Sequence, residues 1–140
     1  MENGHRFMLL FNDLSNGLSS FEDSLKIDFT KYDSFETDLI KSGQIQKFES
    51  TIELLWKTIK KYFEIKRETK IIYPKEVIKA YFIEEAISEE TYLSLMDALE
   101  SRNLLSHIYK IELFGLIHPK LNEYAKAIRD THTALEPHAI

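Results

Sequence analysis

The eight residues from Arg102 to Tyr109 (Arg-Asn-Leu-Leu-Ser-His-Ile-Tyr) form the chain's densest set of chemically able side chains. His107 can move a proton near neutral pH, where an imidazole titrates. Arg102 can grip a phosphate through two parallel N–H donors and offset charge that develops on it. Asn103 and Ser106 can support such a site, and Tyr109 offers a hydroxyl. Arg and His together would suffice for metal-free RNA cleavage by the neighbouring 2′-hydroxyl. Spacing restricts the idea. At roughly 100° per residue, Arg102 and Tyr109 return to nearly one face of a helix, and Asn103 and His107, four apart, share another. Arg102 and His107 differ by about 140°. Bringing those two together needs a local unwinding or a second copy across a dimer. A plainer reading fits the same residues: a helix C-terminus, where Arg and His complement the dipole and Asn and Ser cap.

Other routes to chemistry are closed. The chain holds no Gly-rich phosphate loop, no His-Glu-x-x-His and no Cys, so neither a metal nor a cofactor is expected. The pairs Glu84-Glu85 and Glu89-Glu90 point about 100° apart on a helix and do not converge on an ion. His5, His118, His132 and His138 each lack a nearby partner in sequence and read as surface or structural residues. The net charge of −5 is unevenly laid out. Residues 57–79 hold eight Lys/Arg against three Asp/Glu, while both flanks are acidic. That balance makes a poor general nucleic-acid binder but leaves room for a local phosphate or partner contact at Lys57, Lys60 and Lys61. A solvated helix end explains the same lysines.

Helices must position these groups. Phe7, Phe11, Leu14, Leu18, Phe21 and Leu25 step by three and four, which predicts a first helix ending near Asp28. Phe29–Asp33 reads as a loop. Ser34 is expected to cap a short helix ending at Ser42-Gly43. A long helix follows, with Ile45, Phe48, Ile52, Leu55, Ile59, Tyr62 and Phe63 on one face and Trp56 beside them in the core. Ile71-Ile72-Tyr73 is too short for a strand and reads as a loop. Pro74 suits the first position of a third helix, where its missing N–H costs nothing. Ser88 caps a fourth, whose stripe runs through Tyr92, Leu95, Met96, Leu99 and Asn103. A last helix carries Phe114, Ile117, Leu121, Tyr124, Ile128 and Leu135, restarting or kinking at Pro119. Glu136–Ile140 is expected to fray. The pattern predicts an all-α, antiparallel up-and-down bundle of four to five helices, one domain over residues 1–140. No apolar run is long enough to span a membrane and no signal peptide opens the chain, so a cytoplasmic location is expected.

Arg102-Asn103-Leu104-Leu105-Ser106-His107 matches the Arg-x4-His motif of HEPN proteins, extended by Tyr109 to Arg-x4-His-x-Tyr. Ile45–Glu49 leading to Glu53-Leu54-Leu55-Trp56-Lys57-Thr58 resembles the long helix of nucleotidyltransferase substrate-binding proteins. Tyr73-Pro74-Lys75-Glu76-Val77-Ile78 resembles the helix start that follows it there. The resemblance to that branch of the HEPN superfamily spans roughly residues 6–135. It implies a helical bundle, a homodimer, and a minimal nucleotidyltransferase encoded nearby as the partner whose acceptor-substrate site this chain completes. RNA or a nucleotide is the implied ligand. Some relatives are toxin RNases silenced when the partner transfers AMP to the motif tyrosine. By position, Arg102 and His107 would then be catalytic, Asn103 supporting and Tyr109 the modification target. Two positions depart from the pattern: Ser101 stands where members often carry an acidic residue, and Lys110 where they often carry Asp. Whether the chain is an RNase or a non-catalytic binding subunit stays open at this level.

Overall fold

Periodic burial accounts for most of the helices. The structure, a computed structural model, describes residues 2–107 and 111–139. Helix α1 (Glu2–Ser24) buries Phe7, Phe11, Leu14, Leu18 and Phe21, the predicted stripe. It stops short of the expected Asp28. That residue instead caps a 3-10 turn (Phe29–Lys31), its carboxylate accepting the Thr30 N–H at 3.0 Å.

Helix α2 (Ser34–Lys66) corrects two expectations. It is one unbroken helix of 33 residues, about 50 Å long, with no stop at Ser42-Gly43. Gly in a helix costs about 1 kcal/mol relative to Ala. The neighbouring packing outweighs that: Gln44 and Ile45 are buried, and Gln44 Nε2 donates to the Ser24 carbonyl at 2.7 Å. The cap is Asp33, not Ser34. The Asp33 carboxylate accepts the Glu36 N–H at 2.7 Å, and the Glu36 carboxylate accepts the Asp33 N–H at 3.1 Å. Two otherwise orphaned donors are thereby satisfied reciprocally.

Helix α3 (Pro74–Ile83) opens on its proline as predicted. Helix α4 (Glu89–His107) is capped by Ser88, whose Oγ accepts the Thr91 N–H at 3.1 Å. The chain restarts at Pro119: α5 (Ile111–Ile117) gives way to a 3-10 turn (His118–Lys120) and then α6 (Leu121–Leu135). The expected fraying of Glu136–Ile140 is overturned for Glu136–His138. These residues form a 3-10 turn whose His138 ring sits 4.8 Å from Tyr62. Ile71-Ile72-Tyr73 carries no regular structure, and no strand occurs among the described residues.

Cross-helix pairs give the topology. Ser24, Ser20 and Gly17 face Gln44, Lys47 and Thr51 in turn, so α1 and α2 are antiparallel. Gln44, Phe48 and Tyr62 meet His118, Tyr124 and His138, so α6 runs with α2. Asp97 meets Lys120 and Ser94 meets Glu123, so α4 opposes α6. These four helices make the up-and-down bundle, and α3 is laid along its side. The link 67–73 doubles back until Tyr73 and Pro74 lie beside Glu53 and Trp56. From there α3 runs parallel to α2, and Tyr81 packs on Tyr62. Retracing α2 from residue 66 to 56 covers about 15 Å, within the roughly 23 Å reach of seven extended residues. Glu68, at φ 50°, makes the turn, with the Thr69 N–H returning to the Phe63 carbonyl at 3.1 Å.

Candidate functional site

Arg102 is where α4 meets α2. Helix α4 continues to His107, so Arg102 lies more than a turn inside the helix and does not cap it. Its side chain crosses to α2, placing Nη2 2.8 Å from Glu53 Oε2. Ser106 does not cap α4 either: its Oγ donates back to the Arg102 carbonyl at 3.1 Å, a bond within the helix to a carbonyl the ladder already uses. His107 is exposed on the last residue of α4. No unwinding separates it from Arg102, so the two side chains leave one helix about 140° apart. A single chain does not bring them together. Asn103, expected on the apolar stripe, is exposed instead. Tyr109 and Lys110 lie outside the described residues.

Three stretches of sequence meet around Arg102. Glu53 and Trp56 from α2, Tyr73, Pro74 and Lys75 from the return corner, and Leu99, Arg102 and Asn103 from α4 line a cleft of about 250 Å³. Its polar groups are unevenly satisfied. Glu53 Oε2 is buried and receives no aligned donor, because Arg102 approaches it as an ion pair outside hydrogen-bond geometry. Trp56 Nε1 is buried without an acceptor. Glu49, one turn earlier on α2, has its pKa raised by burial, and the Arg102 charge pulls it partly back. Arg102 is thus paired with Glu53 and within electrostatic range of Glu49 rather than standing free.

The basic segment divides. Lys57 is exposed and touches Glu53 loosely, Nζ to Oε1 at 3.7 Å. Lys60 is half-buried. Lys61 is committed to Glu64 at 2.6 Å. Lys75 lines the cleft and pairs with Glu100 at 2.7 Å. Site reasoning on the sequence missed Glu53, Trp56, Tyr73 and Lys75. A signal was present: all four belong to the blocks that carry the family resemblance.

The family described as nucleotidyltransferase substrate binding protein like matches residues 9–137. The chain belongs to that family. A crystal structure of a protein from Thermus thermophilus is similar in fold to this substrate-binding-like protein. Its TM-score is 0.73 at 22% identity, covering 84% of this chain and 94% of that one. None of the curated proteins matches the chain.

The family's motif neighbour Ser101 turns away from the cleft. In this substrate-binding-like protein it is buried and bonded to the Tyr124 hydroxyl at 2.8 Å, which in turn donates to Asp97 at 2.5 Å. Burial and the Asp97 bond push the Tyr124 hydroxyl far above its usual range. Ser101 therefore belongs to the α4–α6 contact. Three of the four histidines without neighbours in sequence, His118, His132 and His138, find them in space. His118 Nε2 meets Gln44 Oε1 at 2.5 Å, and His132 Nε2 meets Ser15 Oγ at 2.7 Å. Among the described residues, no group of acids and histidines could hold a metal ion, and no helix is long and apolar enough to cross a membrane.

Proposed function

We propose that the protein is the helical substrate-binding subunit of a minimal nucleotidyltransferase encoded nearby, in a two-component module. One observation carries the reading. The three sequence blocks that resemble the family, far apart in the chain, each contribute walls to the Arg102 cleft. The same blocks also supply the core residues Phe48, Leu55, Val77 and Ile78, but a ligand or partner site is expected to gather side chains from separate segments into one solvent-open concavity of this kind. The subunit would present an acceptor substrate at this cleft, with Arg102 and Asn103 as contacts and Lys57 on the rim. Co-expression with the adjacent nucleotidyltransferase is expected to give a complex that stays together through size exclusion. Separate elution of two folded proteins would overturn the reading. The same run reports whether the subunit is the proposed homodimer.

A second reading, a metal-independent RNase silenced by AMP transfer to Tyr109, is favoured by His107, which is exposed on the last residue of α4. The Glu53–Arg102 pair works against it, because a phosphate would compete with a carboxylate 2.8 Å from the guanidinium. Induced expression without the partner is expected to arrest growth under this reading, and His107→Ala to relieve the arrest. A harmless wild type with intact RNA would remove it.

A further inference from the structure

We propose that a second concavity, near the start of α2, holds a free zwitterionic amino acid with an apolar side chain. The site is separate from the Arg102 cleft and goes beyond the subunit reading.

The site begins with a helix that outruns its neighbour. Ser24, the last residue of α1, faces Gln44, so residues 34–43 of α2 run on past the end of α1 for about 15 Å. Between this overhang and the α5–α6 turn lies a cavity of about 390 Å³, within the roughly 300–1,000 Å³ of ligand pockets. Ile45, Phe114 and Pro119 give it apolar wall, and Asp38, Lys41 and His118 supply its charged and titratable groups.

His118 is held in one orientation. Gln44 Nε2 donates to the Ser24 carbonyl, which fixes the amide and turns Oε1 toward His118 Nε2. An amide oxygen only accepts, so the His118 proton sits on Nε2 and Nδ1 carries a bare lone pair. Phe29 meets the imidazole edge-on with centroids 6.1 Å apart. Burial, then the Lys41 charge, lower the His118 pKa, which keeps the ring neutral at pH 7. Among the described residues, none donates to Nδ1. The two charges are unspent as well. Asp38 and Lys41 stand three apart on α2, a spacing at which opposite charges usually meet. They form no ion pair with each other or with another described residue. Lys41 Nζ instead lies 5.4 Å from the Phe29 ring centre, over a neutral face.

That set selects its ligand. A simple anion would meet Asp38, and a simple cation would meet Lys41. An α-amino acid brings both charges. Its ammonium suits Asp38 and the His118 lone pair, its carboxylate suits Lys41, and its side chain covers the apolar wall. The Cβ atoms of an i, i+3 pair lie about 5–6 Å apart, a gap that two charged groups sharing one carbon can bridge. A peptide terminus carries one of the two charges and fits half the site.

Calorimetric titration of the purified full chain tests the site. L-phenylalanine and L-leucine are the probes. Phenylpropionate, which lacks the amine, and phenethylamine, which lacks the carboxylate, are the comparisons. Saturable heat is expected with the amino acids, and binding about tenfold weaker with each truncated analogue. Asp38 and Lys41 are exposed, so Asp38→Asn and Lys41→Ala are expected to leave the melting curve unchanged. Lys41→Ala is expected to weaken L-phenylalanine to the level of phenethylamine, and Asp38→Asn to weaken it to the level of phenylpropionate. Three results overturn the proposal: no saturable heat with either amino acid, an analogue lacking one charge that binds as tightly as L-phenylalanine, or either variant binding L-phenylalanine as the parent does. The titration uses this chain alone, so its outcome is independent of complex formation with the nucleotidyltransferase.

Discussion

Two Arg–Glu contacts between helices divide this molecule into a part that holds and a part that waits. At the α1–α6 contact, Arg129 donates through Nη2 and Nε to both oxygens of Glu22, at 2.5 and 3.0 Å. Its Nη1 lies 3.3 Å from His132 Nδ1. His132 then meets Ser15 through Nε2, and the Ser15 hydroxyl donates to the Phe11 carbonyl at 2.9 Å. Since Nδ1 accepts from Arg129, the proton sits on Nε2 and Ser15 accepts it. Each nitrogen of the guanidinium has a partner, and Phe11 stacks on the imidazole with centroids 4.6 Å apart. At the α2–α4 contact, Arg102 reaches Glu53 through one nitrogen, off-axis, beside a buried indole N–H with no acceptor. The residue types match, and the degree of satisfaction differs. A closed network converts its charges into a fixed helix spacing. An open one leaves hydrogen-bonding capacity unspent beside a cleft.

The largest test of this contrast removes each arginine in turn. Arg129→Ala breaks a two-pronged pair and strands Glu22 and His132, and about 1–3 kcal/mol of stability is expected to go, allowing for partial exposure. Arg102→Ala removes a single off-axis contact and is expected to cost under about 1 kcal/mol. Urea melts of the two variants decide the matter. Equal losses would mean that the cleft is as structural as the clasp.

Much of this contrast was invisible in the sequence, for a reason the residues make plain. Local rules read well where partners are local. The stripe from Phe7 to Phe21, the Pro74 start and the Ser88 cap all depend on neighbours within a few positions, and all appear as expected. The Asp33-x-x-Glu36 box was just as local and was overlooked in favour of Ser34. Gly43 misled because propensity is a local preference, while the burial of Gln44 against α1 is tertiary. The cleft depends on Glu53, Tyr73 and Arg102, brought together by the return of residues 67–73. No periodicity encodes that return, and the sole trace of it was that three resembling blocks occurred in one order. Arg102 was legible as a candidate; its confinement by Glu49 and Glu53 was not.

Acid separates the two regions more finely. His132 has its pKa lowered, first by burial and then by Arg129, with Glu136 and Glu22 pulling the other way. The folded state thus favours neutral imidazole, while the unfolded chain takes up a proton near pH 6.5. Stability present above that pH is expected to fall as pH drops from 7 to 5, by at most about 1.4 kcal/mol per pH unit for one histidine. His118 and His138 are lowered too, chiefly by burial, and add with the same sign. His132→Gln is expected to flatten the dependence of the urea midpoint on pH over that range. An unchanged slope would show that protonation leaves the clasp intact.

Glu49 supplies the smallest and most discriminating effect, because its sign is opposite. Burial raises its pKa, so the folded protein favours the protonated acid, and ionisation at neutral pH works against folding. That penalty is relieved as pH falls through the raised folded value and is gone below about 4.5, where the unfolded chain is protonated as well. Glu49→Gln mimics the protonated form. It is expected to raise the melting temperature slightly at pH 7 and to leave it unchanged at pH 4. Acidification would then cost the clasp stability and relieve the cleft. A Glu49→Gln variant less stable than the parent at pH 7 would mean that Glu49 holds Arg102 as firmly as Glu22 holds Arg129, and the line between a holding contact and a waiting one would have to be redrawn.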